Sequence, residues 1–127
     1  MSLGKTPIMG FIAIANAAKA REFYEKTLGL KFVEDSPFAL VFEVGAGTML
    51  RIQKLGEKYS PPQYTMFGWR VEDIAAKVRE LVARGVTFMD PGFVKVDADR
   101  IWTTPDGSKV AWFKDPDGNT LSLTQLA

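Results

Sequence analysis

The chain closes on FKDPDGNTLSLTQ, Phe113–Gln125, which offers two aspartates, Asp115 and Asp117, and a serine, Ser122, shortly after the turn glycine. Carboxylates could act as general acid or base, or grip a hard cation such as magnesium or calcium. Little else in the sequence could. Its 127 residues include no histidine and no cysteine. The commonest transition-metal ligand, and the side chain that titrates near neutrality, are therefore missing, as are disulfides and thiol chemistry. A general base would have to be Asp, Glu, Lys or Tyr with a displaced pKa, and a zinc or iron site would depend on carboxylates alone. Asp115 and Asp117, however, lie within DPDG, where Asp and Gly are what a tight hairpin requires, so the turn is expected to claim them. The remaining candidates are aromatic: Trp69, Trp102 and Trp112, on which a planar ligand could stack.

Composition narrows the classes. Sixteen basic and fifteen acidic residues leave a net charge of +1, which gives no reason to expect a nucleic-acid partner. Hydrophobic content of 46% with 24% charged residues fits one globular domain, 1–127, large enough for a real core. No apolar run approaches the roughly 18 residues of a membrane span, and MSLGKTPIMG lacks the apolar middle of a secretory signal. A cytoplasmic location is the expectation.

The elements that must position these residues follow from pattern. IMGFIAIA, Ile8–Ala15, is a short apolar run read as a buried strand. Asn16 is placed to cap AAKAREFYEKTL, whose Ala20, Phe23, Tyr24, Thr27 and Leu28 share a helical face, and Gly29 ends that helix. LKFVED, FALVFEV and TMLRIQK follow as strands, separated by Ser36-Pro37 and by a hairpin at Gly45-Ala46-Gly47. Lys54–Gln63 is polar, contains two prolines and reads as a linker. YTMFGWRV is another strand. Asp73 caps IAAKVRELVAR, with Ile74, Val78, Leu81 and Val82 on one face and Gly85 at its end. VTFMD is read as a strand, Pro91–Asp99 as an unpatterned connection, and RIWTT, KVAWFK and TLSLTQ as strands joined by PDGS and DPDG turns. The order strand, helix, three strands is thus written twice, in modules of about 7–54 and 63–126. Each is too small to bury its sheet face alone. The fold class expected is α+β: two βαβββ modules whose mixed sheet curves around a central cavity, with helices outside.

With FYEKTLGLKF (Phe23–Phe32) and FKDPDGNTLSL (Phe113–Leu123), this doubled plan resembles the vicinal oxygen chelate superfamily, which includes glyoxalase I, extradiol dioxygenases, fosfomycin-resistance enzymes and bleomycin-resistance proteins. The resemblance covers nearly the whole chain. In metal-using members of that superfamily, four strand positions, usually histidines and glutamates, hold the ion. Measured from the shared motifs, those positions fall on Met9, Arg51, Met66 and Ser122. Thioethers suit copper(I) rather than magnesium, manganese or zinc, and arginine repels a cation. The resemblance therefore implies a member without the usual metal site and with no cofactor.

Alternation along strands adds Phe11 beside Met9, and Tyr64 and Gly68 beside Met66. The expected ligand-binding set is Arg51, Met9, Met66, Tyr64, Phe11, Ser122, Trp69, Trp102 and Trp112, an apolar and aromatic lining with one cation. Plain packing is the alternative for the methionines and tryptophans, and pairing with Glu43 the alternative for Arg51. The resemblance to bleomycin-resistance proteins implies a homodimer that binds a small molecule, here a planar or aromatic, neutral or anionic one. The second reading is a metal-independent lyase or isomerase, with Arg51 polarising an oxyanion and Tyr64 or a carboxylate moving a proton, and the third a metal-dependent enzyme that recruits unusual ligands.

Overall fold

A computed structural model of the protein describes residues 2–45 and 47–127. The chain divides into two compact units, one ending at Pro61 and the other beginning at Pro62. The boundary falls within the segment read as a linker, which also contains a short helical turn at Gly56–Lys58.

The first unit runs β1 (Met9–Ile14), α1 (Ala17–Arg21), β2 (Lys31–Asp35), β3 (Ala39–Val44) and β4 (Thr48–Lys54). Its sheet order is β1-β4-β3-β2, with β1 parallel to β4 and the other pairs antiparallel. Asn16 caps α1 as expected, its side-chain oxygen accepting from the Lys19 amide at 3.0 Å. The helix is not α throughout. Beyond Arg21 it widens into a π-helical turn, Glu22–Thr27, in which the Leu28 amide donates to the Phe23 carbonyl five residues back. Ala20 and Tyr24 are still fully buried, and the Tyr24 ring packs on Phe42 from the sheet. Ile12, Ile14, Leu40, Phe42, Leu50 and Ile52 form the rest of this core. The Gly45-Ala46-Gly47 hairpin includes Ala46, which lies outside the described residues.

The second unit repeats the plan: β5 (Thr65–Arg70), α2 (Ile74–Ala83), β6 (Trp102–Thr103), β7 (Lys109–Lys114) and β8 (Thr120–Gln125), in the order β5-β8-β7-β6. Asp73 caps α2 by accepting from the Ala76 amide at 3.1 Å. The helix buries Ile74, Val78 and Leu81 against a sheet face carrying Ala111, Phe113, Leu121 and Leu123. Gln125 ties the two layers together by accepting from the Ile74 amide at 2.9 Å.

VTFMD is not the strand expected. It makes a single bridge, Phe88 to Phe113, and the Met89 amide donates to the Trp112 carbonyl at 2.8 Å. The chain then leaves the sheet. Pro91 has no amide to donate, and the Asp90 carboxylate accepts from the Gly92 amide at 2.9 Å, turning the backbone away. The edge position beside β7 is taken up again by β6, where Trp102 pairs with Val110 and Thr103 with Lys109.

The excursion between them is ordered by a turn that composition hides. Asp97 Oδ1 accepts from the amides of Asp99 and Ile101, while the Arg100 amide donates to the Asp97 carbonyl. DPDGN is built the same way: Asp115 Oδ1 accepts from Asp117 and Asn119, and Gly118 donates to the Asp115 carbonyl. Gly118 has φ 91°; Arg100, in the matching place, has φ 65° without being glycine. As expected from sequence, the turn consumes Asp115. It is 4% exposed, and its second oxygen accepts from Asn119 Nδ2 at 2.8 Å.

Candidate functional site

In each unit the helix covers one sheet face, and the candidate residues are sorted by which face they occupy. In the first unit Phe32 and Phe42 lie on the helix side, with the Arg21 guanidinium 3.8 Å from the Phe32 ring centroid. Register places Met9 beside Met49 and Phe11 beside Arg51, with Val41 on the other flank of Arg51. These belong to the opposite face, since Ile12 and Ile52 are the buried pair between. The grouping of Met9, Phe11 and Arg51 thus holds within the unit. Met9 and Phe11 remain 47% and 57% exposed.

Glu43 does not pair with Arg51. It lies one strand over, opposite Met49, and is held by Lys31 at 3.5 Å. Among the described residues Arg51 has no ion-pair partner, although it is partly buried. The other partly buried cations of its unit are satisfied: Arg21 by Glu25 and Lys54 by Asp35.

In the second unit Ser122 is buried between Gly68 of β5 and Trp112 of β7, away from α2. A side chain at position 68 is impossible without a shift. A Cβ there would come within 3.0 Å of the Ser122 carbonyl carbon, and closer to its oxygens. Trp102 lies nearly parallel to Trp112, with ring centroids 6.1 Å apart and planes at 19°. Phe93, from the excursion, sets its edge against Trp112 at 5.9 Å and is itself 74% exposed. The sequence reading missed Phe93. The available signal was a lone aromatic in a Gly- and Pro-containing connection.

Three of the expected residues are placed differently. Trp69 is one residue past Gly68 and so faces the helix side. It pairs with Leu123, packs on Phe67 at 4.9 Å and stacks on Phe113 at 6.3 Å, on the opposite side from Ser122 and Trp112, and is partly buried. Met66 is the extra residue of a register shift between Thr65 and Phe67, so alternation cannot be counted through it. Tyr64 precedes β5 and is 68% exposed, and the shift separates it from the Gly68–Ser122 row.

Among the described residues, no group of three or more His, Cys, Asp or Glu is positioned to hold a metal ion. The side chains at the four positions singled out in the sequence, two thioethers, a guanidinium and a hydroxyl, do not fit a divalent cation. No helix of the described residues is long and apolar enough to cross a membrane.

Two βαβββ units with faces of this kind define a class, and comparison with known proteins places the chain in it. The profile of the Glyoxalase/Bleomycin resistance protein/Dioxygenase superfamily matches residues 8–123, and the chain belongs to that family. Among solved structures, it is similar to TnmS3, an antibiotic binding protein from Streptomyces sp. CB03234, with 25% identity and a TM-score of 0.73 over 100% of this chain and 99% of that one. A glyoxalase/bleomycin resistance protein from the same organism shows 26% identity and a TM-score of 0.67 over 94% of this chain and 100% of that one. Lactoylglutathione lyase from Agrobacterium tumefaciens, at 17% identity and a TM-score of 0.69 over 95% of this chain and 93% of that one, shares the fold. The search of curated proteins returns no match.

Proposed function

We propose that this protein binds a planar or aromatic small molecule, neutral or anionic, without a metal and without transforming it. The observation that carries the reading is the pair Trp102 and Trp112, held nearly parallel on the face of the second unit away from α2. Both rings are only partly buried, and Ser122 stands beside Trp112 as a polar neighbour. Large aromatic faces with a few polar groups are how small organic ligands are held. The similarity to TnmS3, described as an antibiotic binding protein, supports binding over turnover. The side chains at Met9, Arg51, Met66 and Ser122 support a metal-free mode.

All three tryptophans lie in the second unit, so their fluorescence reports on the proposed surface. A panel of planar compounds should include members that quench saturably and are recovered unchanged. Trp112→Leu should remove that quenching. Chemical conversion of a bound compound, or no saturable quenching across the panel, would refute the reading. Native mass spectrometry of the same preparation tests the homodimer and any carried-over ligand.

A further inference from the structure

Among the described residues the Arg51 guanidinium has no ion-pair partner, and its two flanking neighbours across the sheet, Phe11 and Val41, are apolar. Across the sheet the row reads Phe11, Arg51, Val41 and, at the far edge two strands from Arg51, the exposed Glu34, which forms no ion pair with it; Met9, Met49 and Glu43 make the next row. A partly buried cation loses water, and apolar flanks return nothing for it. The acid in the adjoining row, Glu43, is already engaged by Lys31. A guanidinium presents its N–H donors in a planar fork that matches a carboxylate or sulfonate in bidentate fashion. Phe11, its neighbour on the parallel strand, presents an exposed ring. Neighbouring strands about 4.8 Å apart put ring and fork within reach of one aryl acid.

We infer that Phe11 and Arg51 form a subsite that selects aromatic oxyanions over their uncharged analogues. This names a ligand class for the small-molecule-binding reading and rests on its claim of binding, not on the tryptophan pair of the other unit. The ring lies against Phe11, the anionic group is taken by Arg51, and a cationic ligand is repelled.

The test compares naphthoate with uncharged naphthamide by isothermal titration calorimetry. The wild-type protein should bind naphthoate on the order of 10-fold to 100-fold more tightly, the range set by a charge-assisted hydrogen bond. Arg51→Gln should erase the difference, chiefly by weakening naphthoate. Arg51→Lys should keep part of it, because it retains the charge and loses the fork. Phe11→Ala should weaken both ligands alike. Equal wild-type affinities, no binding of naphthoate, or a preference that survives Arg51→Gln would each overturn the inference. Tryptophan quenching by neutral planar compounds without any charge preference would leave the binding reading intact and end this one. A charge preference with no quenching would do the reverse.

Discussion

Asp115→Ala tests how much of the second unit rests on one turn. The carboxylate accepts from the Asp117 and Asn119 amides, each at 2.9 Å, and from Asn119 Nδ2 at 2.8 Å. Asn119 is 0% exposed, so alanine would strand two of its donors away from water; the Asp117 amide is less deeply buried. A buried donor left unsatisfied costs about 1–3 kcal/mol. Two of them, with a smaller share from Asp117, give a loss of about 4 kcal/mol, against total stabilities of about 5–15 kcal/mol. The turn joins β7 to β8, the two central strands of the sheet, so no edge can fray to absorb the change. With a urea slope of about 2 kcal/mol/M, the unfolding midpoint should fall by about 2 M. Tryptophan fluorescence reads the affected unit directly, since Trp69 stacks on Phe113 and Trp112 pairs with Ser122. Asp115→Asn keeps an oxygen for the two amides and should lose about half as much. A midpoint drop under about 0.5 M for alanine, or equal drops for both variants, would refute the reasoning that these bonds hold the turn.

Gly68→Ala should destabilise by about 3 kcal/mol, because the obstacle includes the Ser122 backbone carbonyl as well as its hydroxyl, and the carbonyl cannot rotate away; thermal unfolding measures it, and a neutral result would mean the β5–β8 register is wrong. Arg100→Gly should gain about 0.5–1 kcal/mol by relieving a left-handed residue, against the loss of an exposed pair to Asp90 at 3.8 Å; a lowered urea midpoint would contradict it. The Thr104 hydroxyl, and then the Ser108 amide, hold the Asp106 carboxyl below the ordinary aspartate range. Its contribution to stability is therefore complete above the ordinary value and is lost only as pH falls through the lowered one. An NMR titration should show that low midpoint, and Thr104→Val should raise it.

What was legible in the sequence is what a few neighbouring residues settle among themselves. Asn16 and Asp73 cap their helices because an acceptor three residues before a free amide needs no distant partner. The DPDGN turn was equally local. The Asp97 turn uses the same bonds but was missed, because Arg100 occupies the place where glycine would have announced it. VTFMD has the composition of a strand and makes one bridge, because Pro91 and the Asp90–Gly92 turn that follow it draw the chain off the sheet edge.

The candidate site divides along the same line. Strand alternation alone put Met9 and Phe11 on one face, and strand register confirmed Arg51 as their neighbour. Alternation failed at Met66, where an inserted residue resets the count, and Trp69 went to the helix side because it is one position off the Gly68–Ser122 row. The alternative of an Arg51–Glu43 pair is not realised; Lys31 holds Glu43 instead. The sequence by itself determined the doubled βαβββ plan and the absence of histidine and cysteine, since period, caps and composition are properties of the chain as written. Only the tertiary structure decided which aromatics meet and, among the described residues, that Arg51 reaches no acid, because those depend on register between strands that are distant in sequence.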